Sequence, residues 1–192
     1  MMRRLANIGL LLAAAVLCYG LQTTRPHYAD LIAPIPVYGN LKDDVALRTF
    51  TVRADAVTFA CTLAIEQFGR RRLLTTGGVW AIVTVALSAK DSTTTIAAAT
   101  WKGPGGLLYD TTERLSLAPG MPPVTVQPGL PGKGRLVFEI RPDEASEATL
   151  LVSEARYFAL DSQAHIALGP IAVRPDGLPE GTVETFDLSK DL

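Results

Sequence analysis

"GKGRLVFEIRPDEASEATLLV", residues 132–152, decides the fold class. Leu136, Phe138 and Ile140 alternate with Val137, Glu139 and Arg141, a period of two that puts one set in a core and the other toward solvent. Pro142 cannot donate to a ladder and ends the strand. Asp143, Glu144 and Ser146 carry turn chemistry, so the chain is expected to return as the second strand of a hairpin through "ATLLVSEARY". On this reading Glu139, Arg141, Asp143 and Glu144 form a solvated face and a turn, not a working site.

The same grammar extends outward. "TFTVRADAVTFACTLAIEQF" (49–68) alternates, with Val57, Phe59, Cys61, Leu63 and Ile65 expected on one face. "RRRLLTTGG" (70–78) reads as a turn pivoting on Gly77-Gly78. "VWAIVTVALSA" (79–89) is a near-continuous β-favouring run, the mark of a strand buried on both faces. "IAAATWKGPGGLLYDTTERLSL" (96–117) gives short strands around Gly103-Pro104-Gly105-Gly106, and "APGMPPVTVQPGLPGKG" (118–134) is loop with a short edge strand at Val124–Val126. Strands are expected at 134–141 and 148–158, with one more in "AHIALGPIAVRP" (164–175). Seven to nine short strands and no sustained 3.6 period after Leu21 predict an all-β, immunoglobulin-like antiparallel β-sandwich. Trp80 and Trp101 read as core anchors.

The ends differ in composition. "MMRRLANIGLLLAAAVLCYGL" carries Arg3 and Arg4, then no charge from Leu5 to Leu21. At about 1.5 Å per residue that run spans roughly 25 Å, the short end of what crosses a bilayer. A single N-terminal transmembrane helix acting as a signal-anchor is preferred. The competing cleaved signal peptide must use Cys18-Tyr19-Gly20, a poor small-x-small site. Positive charge before the span and the scarcity of charge in residues 22–41, which hold only Arg25 and Asp30, place residues 22–192 outside the cytoplasm, at the inner or cytoplasmic membrane, or secreted if the leader is cleaved. The organisation expected is thus anchor 1–21, extended Pro-containing connector 22–44, sandwich 45–175 and loose tail 176–192.

The order of features between about Val52 and Val152 resembles the DUF4352 family of immunoglobulin-like domains of bacterial envelope proteins and lipoproteins. "GGVWAIVTVALSAK", "AAATWKGPGGLLYD" and above all "VQPGLPGKGRLVFEIRPD" carry the resemblance, with Arg141 between Ile140 and Pro142 a one-residue departure. It covers roughly half the chain. It implies a fold and an envelope location and brings no catalytic residues.

Chemistry is sparse. A net charge of −1 leaves no basic face for a nucleic acid. His27 and His165 lack metal-ligand spacing with Cys, Asp or Glu, so no metal or cofactor is expected. No Gly-x-Ser-x-Gly elbow occurs, and Ser116, Ser146, Ser153 and Ser162 sit in surface-like contexts. Asp43-Asp44 and Asp143-Glu144 lack the alternating ligands of a calcium loop and read as solvated turns. Cys61 reads as a small buried core residue, in a different phase from Cys18. The one charge concentration is Arg70-Arg71-Arg72, whose plainer reading is a solvated, aggregation-resisting hairpin end and which is also the candidate interaction site for anionic headgroups, a polyanion or an acidic protein. The function expected is a non-enzymatic binding or scaffolding module, membrane-associated through residues 5–21, with an envelope protein as partner. The alternative is a secreted small-ligand binder or hydrolase with a loop-built site near His165.

Overall fold

The computed structural model describes residues 2–24, 32–67, 69–115, 120–154 and 160–190, the side chains of 2–6 excepted. The chain divides into two units, Met1–Ala33 and Pro34–Leu192. In the first, α1 (Met2–Thr23) is one unbroken helix, as its Leu- and Ala-rich sequence favours. It ends where Thr24 N donates to Gly20 O at 3.3 Å and Thr23 Oγ1 to the same carbonyl at 2.9 Å. Its described apolar side chains, from Ile8 to Leu21, are exposed all round the helix. No helix among the described residues is long and apolar enough to cross a membrane, so the transmembrane expectation for 5–21 is met only as far as a helix.

The second unit contains β1 (Ile35–Asn40), β2 (Val45–Ala46), β3 (Phe50–Gln67), β4 (Arg70–Ala89), β5 (Thr94–Ile96), β6 (Ala98–Lys102), β7 (Leu108–Asp110), β8 (Val124–Val126), β9 (Gly132–Ile140), β10 (Thr149–Ser153), β11 (Ser162–Ala167) and β12 (Val183–Asp187). One sheet has the order β1-β11-β10-β6-β7, the other β12-β3-β4-β9 with β2 also on β3, and β5 pairs with β8. The two large sheets bury a shared core: Val52, Phe59, Val83 and Phe138 from one, Trp101, Leu150 and Ile166 from the other. Trp101 lies between Phe59 and Phe138, ring centroids 6.2 and 5.9 Å away, in the tilted and edge-on arrangements that aromatic quadrupoles favour.

From Val79 onward β4 is buried on both faces. Val79, Ala81, Val83, Val85 and Leu87 face the inter-sheet core, while Trp80 and Ile82 face outward with Val137 of β9. That outer face is covered by Leu115, Met121, Leu188 and Phe186. Both tryptophans are fully buried, as expected, and each indole N–H finds a carbonyl: Trp80 at Leu74 O (3.1 Å), Trp101 at Glu144 O (2.9 Å).

Several expectations are corrected. The sheets are mixed, because β1 joins β11 and β12 joins β3 in parallel. Both parallel strands come from segments read as connector and tail, so the folded unit runs from Pro34 and not only over 45–175. The tail is pinned by Arg135, whose guanidinium donates to Leu188 O (2.8 Å) and Lys190 O (2.6 Å). Strands β9 and β10 do not form a hairpin. They lie in different sheets, and the Pro142–Glu144 turn carries the chain across the sandwich. The face of β9 read as solvated is covered: Val137 and Arg135 are buried, and Glu139 binds Thr112 Oγ1 at 3.0 Å and Arg114 Nη1 at 3.3 Å. The second strand ends at Ser153; residues 155–159 lie outside those described.

The hairpin turn joining β3 and β4 is at Gly69, with φ +69°, and not at Gly77-Gly78. Those glycines lie in a bulge where Thr76–Val79 stand against the single residue Cys61. A Cβ on Gly78 would overlap the Ile140 carbonyl, whereas Gly77 faces open space. The irregularities at Asp55 and Cys61 also shift the phase of β3. Phe59 therefore faces the inter-sheet core while Leu63 and Ile65 face the outer cluster, the usual consequence of an unpaired residue in a strand. Cys61 itself is only half-buried, not core.

Gly78→Ala is expected to lower stability by about 1–3 kcal/mol, the usual cost of overpacking, while Gly77→Ala stays within about 1 kcal/mol of wild type. Trp80→Ala should cost about 3–5 kcal/mol. Urea unfolding of the three variants, followed by circular dichroism, checks the ranking.

Candidate functional site: the basic hairpin arm

Arg70, Arg71 and Arg72 open β4, opposite Gln67, Glu66 and Ile65 of β3. Strand β9 begins to pair with β4 only at Val79. The hairpin end therefore continues past β9 as an arm, flanked on its β3 side by β12 as far as Ala64 and two-stranded only at its tip, Ile65–Gln67 with Arg70–Arg72. Leu74 and Ile65 are buried on the outer face and hold the arm down; Leu73 on the opposite face is 62% exposed.

All three arginines are exposed, and with Gln67 they line a shallow depression. Arg72 Nη1 donates to Gln67 Oε1 at 2.9 Å. Arg71 Nη2 lies 3.7 Å from Asp187 Oδ2 of β12. The Ser189 backbone N–H, donating to Asp187 at 3.0 Å, chiefly holds that carboxyl below its ordinary value, and Arg71 adds to the effect. Other arginines of the unit are committed to neighbours. Arg48 forms a two-pronged pair with Asp161 (both bonds 2.9 Å), Arg53 binds Asp55 (2.6 Å), and Arg114 stacks 5.2 Å from the Trp80 ring centre. Exposed pairs of this kind contribute little stability, but they neutralise charge. The arm is where cationic charge is concentrated and least matched.

The remaining sequence candidates scatter. His165 is half-buried on β11, with its ring edge-on to Tyr38 at 5.4 Å and Nε2 3.0 Å from Gln163 Oε1. Burial first, and the nearby Lys102 charge second, hold its pKa below the ordinary value. Among the described residues no serine, cysteine or carboxylate hydrogen-bonds this imidazole. His27, Arg25 and Asp30 of the connector and Ser116 lie outside the described residues. Ser153 is buried, not a surface serine. Asp43 is a turn acid as expected, its carboxylate accepting from Asn40 N at 2.9 Å and Nδ2 at 3.0 Å, and Asp44 meets Arg53 at 3.3 Å. No group of His, Cys, Asp and Glu among the described residues is arranged to hold a metal ion.

Glu144 departs from the solvated turn expected of it. It is buried against Gly103 and Gly105, whose N–H donates to Glu144 Oε2 at 3.1 Å. A side chain on either glycine would collide with the carboxylate. The "GPGG" turn thus exists to receive an acid of this same chain. Its sequence signal was visible as glycine spacing, but the occupant, about forty residues away, was not.

No protein-family model matches the chain, and no curated protein matches it. Among solved structures, the yjhA protein from Bacillus subtilis is similar to it, with a TM-score of 0.50 and 9% identity over 67% of this chain and 99% of that one. An uncharacterised β-sandwich protein from Clostridium difficile 630 matches with a TM-score of 0.42 and 7% identity, over 70% of this chain and 95% of that one. At such identities the likeness is one of fold. The chain is a β-sandwich protein.

Proposed function

We propose that this chain is a non-enzymatic binding or scaffolding module of the bacterial cell envelope, an immunoglobulin-like sandwich held outside the cytoplasm by its N-terminal segment. The leader reading rests on Arg3 and Arg4 before an uncharged run, on a helix whose apolar side chains are exposed all round, and on the positive-inside rule. The binding reading rests on one observation, the projecting arm with Arg70, Arg71 and Arg72 exposed at its tip. Its partner would be an envelope protein, and the DUF4352 resemblance points to the same compartment.

A second reading, a small-ligand binder or hydrolase near His165, has in its favour a shallow depression lined by Tyr38, Asn40, Asp43, Thr149 and His165. A hydrolytic base needs a carboxylate or similar group to orient and charge it, and the imidazole here meets Gln163 and a nearby lysine instead.

Three measurements test these readings. In membrane fractions, crosslinking and pull-down should recover an envelope protein with the wild type and lose it with the Arg70/Arg71/Arg72 triple alanine variant; an identical partner set removes the arm from the account. N-terminal sequencing of the mature protein separates an anchor, which keeps Arg3 and Arg4, from a leader cleaved near Leu21. For His165, an NMR titration of the ring should give a midpoint below 6.5. Because the folded state then binds fewer protons than the unfolded one, its stability contribution is full above that value and is lost as pH falls through the lowered pKa. His165→Gln should remove this slope. A midpoint above 6.5 would reveal an acidic partner and favour the second reading.

A further inference from the structure

We propose that the outer edge of β4 at Arg71–Thr75 is a docking strand for an extended, acidic peptide segment, which pairs with the backbone there while its carboxylates meet Arg70 and Arg72. This rests on the binding-module reading and names the partner's chemistry and mode of attachment.

The direction of the backbone groups follows from two hydrogen bonds. Leu188 N donates to Ala64 O at 2.9 Å, so Ala64 points away from β4 toward β12. Its antiparallel partner is Leu73. In such a ladder both members of a non-bonded pair point outward, so Leu73 directs its N–H and C=O away from β3. Alternation assigns the same orientation to Arg71 and Thr75. Thr75 provides the check: its carbonyl accepts from Arg114 Nη1 at 2.9 Å, from outside the ladder. Arg114 thus caps one outward carbonyl, and Arg71 and Leu73 remain. Among the described residues no strand pairs with this side of β4 before Val79.

The β1 edge shows how an edge is blunted here. On β1, Pro36 has no N–H, and Asn40 N is occupied by the Asp43 carboxylate. Across the arm, the β3 edge is already covered by β12 through Ala64. Proteins close or charge such edges against unwanted pairing, and the β4 edge is charged with a single sign. Three arginines repel a second copy of this edge and attract a strand carrying carboxylates. The exposed Leu73 offers an apolar contact to that strand. Main-chain bonds would supply affinity and the alternate side chains specificity, as in β-strand addition generally.

The test uses the full chain in a non-ionic detergent and a labelled peptide probe, Glu-Val-Glu-Thr-Glu-Val-Glu, read by fluorescence anisotropy and amide hydrogen exchange. Saturable binding is expected, with slowed exchange at Arg71 and Leu73. A Lys-for-Glu peptide should not bind, and a peptide N-methylated at alternate amides should bind roughly tenfold more weakly or not at all. Arg70→Ala with Arg72→Ala should weaken binding by about tenfold or more. Leu73→Pro should abolish it while keeping the fold, since proline is tolerated where a strand N–H points off the edge; the N-methylated peptide gives the same readout should that variant not fold. Equal binding of the lysine peptide, or unaltered binding of the N-methylated one, overturns the proposal. Capture of an envelope partner that persists in the double alanine variant also overturns it, yet leaves the binding-module reading standing.

Discussion

Burial of β4 on both faces is the constraint from which the rest of this structure follows. A strand presenting Val79, Ala81, Val83, Val85 and Leu87 to one side and Trp80 and Ile82 to the other needs two covers. At about 25 cal/mol per Å² of apolar surface, leaving either side wet would cost several kcal/mol. The opposing sheet provides the first cover. The second is assembled from Leu115 and Met121, which lie between β7 and β8, and from Phe186 of β12 and Leu188 just after it. That requirement explains why β12 is part of the fold, and why Arg135 reaches the carbonyls of Leu188 and Lys190 to hold it.

The two sheets are tied together at the crossing between β9 and β10. Pro142 stops the strand, the short turn follows, and Glu144 inserts into the glycine turn beside β6. Its carbonyl accepts the Trp101 indole, so one residue secures both the turn and the central aromatic of the core. Buried polar groups are tolerable when bonded, and here the bond joins segments that no local pattern would associate. The same economy leaves the arm as the place where charge and backbone stay available. Elsewhere the arginines are answered by Asp161, Asp55, Glu139 or main-chain carbonyls.

The alternation of Leu136, Phe138 and Ile140 and the continuous run 79–89 were legible because period and burial are local properties. The sandwich class and both tryptophan anchors followed from them; the three arginines, read as part of a turn, open β4 instead. What was not legible came from partners distant in sequence. Val137 and Glu139 look solvated until Leu115, Thr112 and Arg114 cover them. Gly77-Gly78 reads as a turn because glycine marks turns and bulges alike, and only the approach of the Ile140 carbonyl tells them apart. The phase change at Cys61 has no Gly or Pro to announce it within β3. The hairpin expected at Pro142 failed because a turn sequence specifies a reversal and not the sheet in which the next strand pairs. The arginine cluster was visible in the sequence; the open edge beneath it was not, since it depends on where β9 stops.

Native-state hydrogen exchange tests the central claim most directly. If two-sided burial of β4 organises the molecule, the amides of Val79–Leu87 that bond across to β3 and β9 should exchange only through global unfolding. The amides of Arg71 and Leu73 on the same strand should exchange through local opening at little free-energy cost. Fast exchange across Val79–Leu87, or protection at Arg71 and Leu73 equal to it in the isolated protein, would contradict the account.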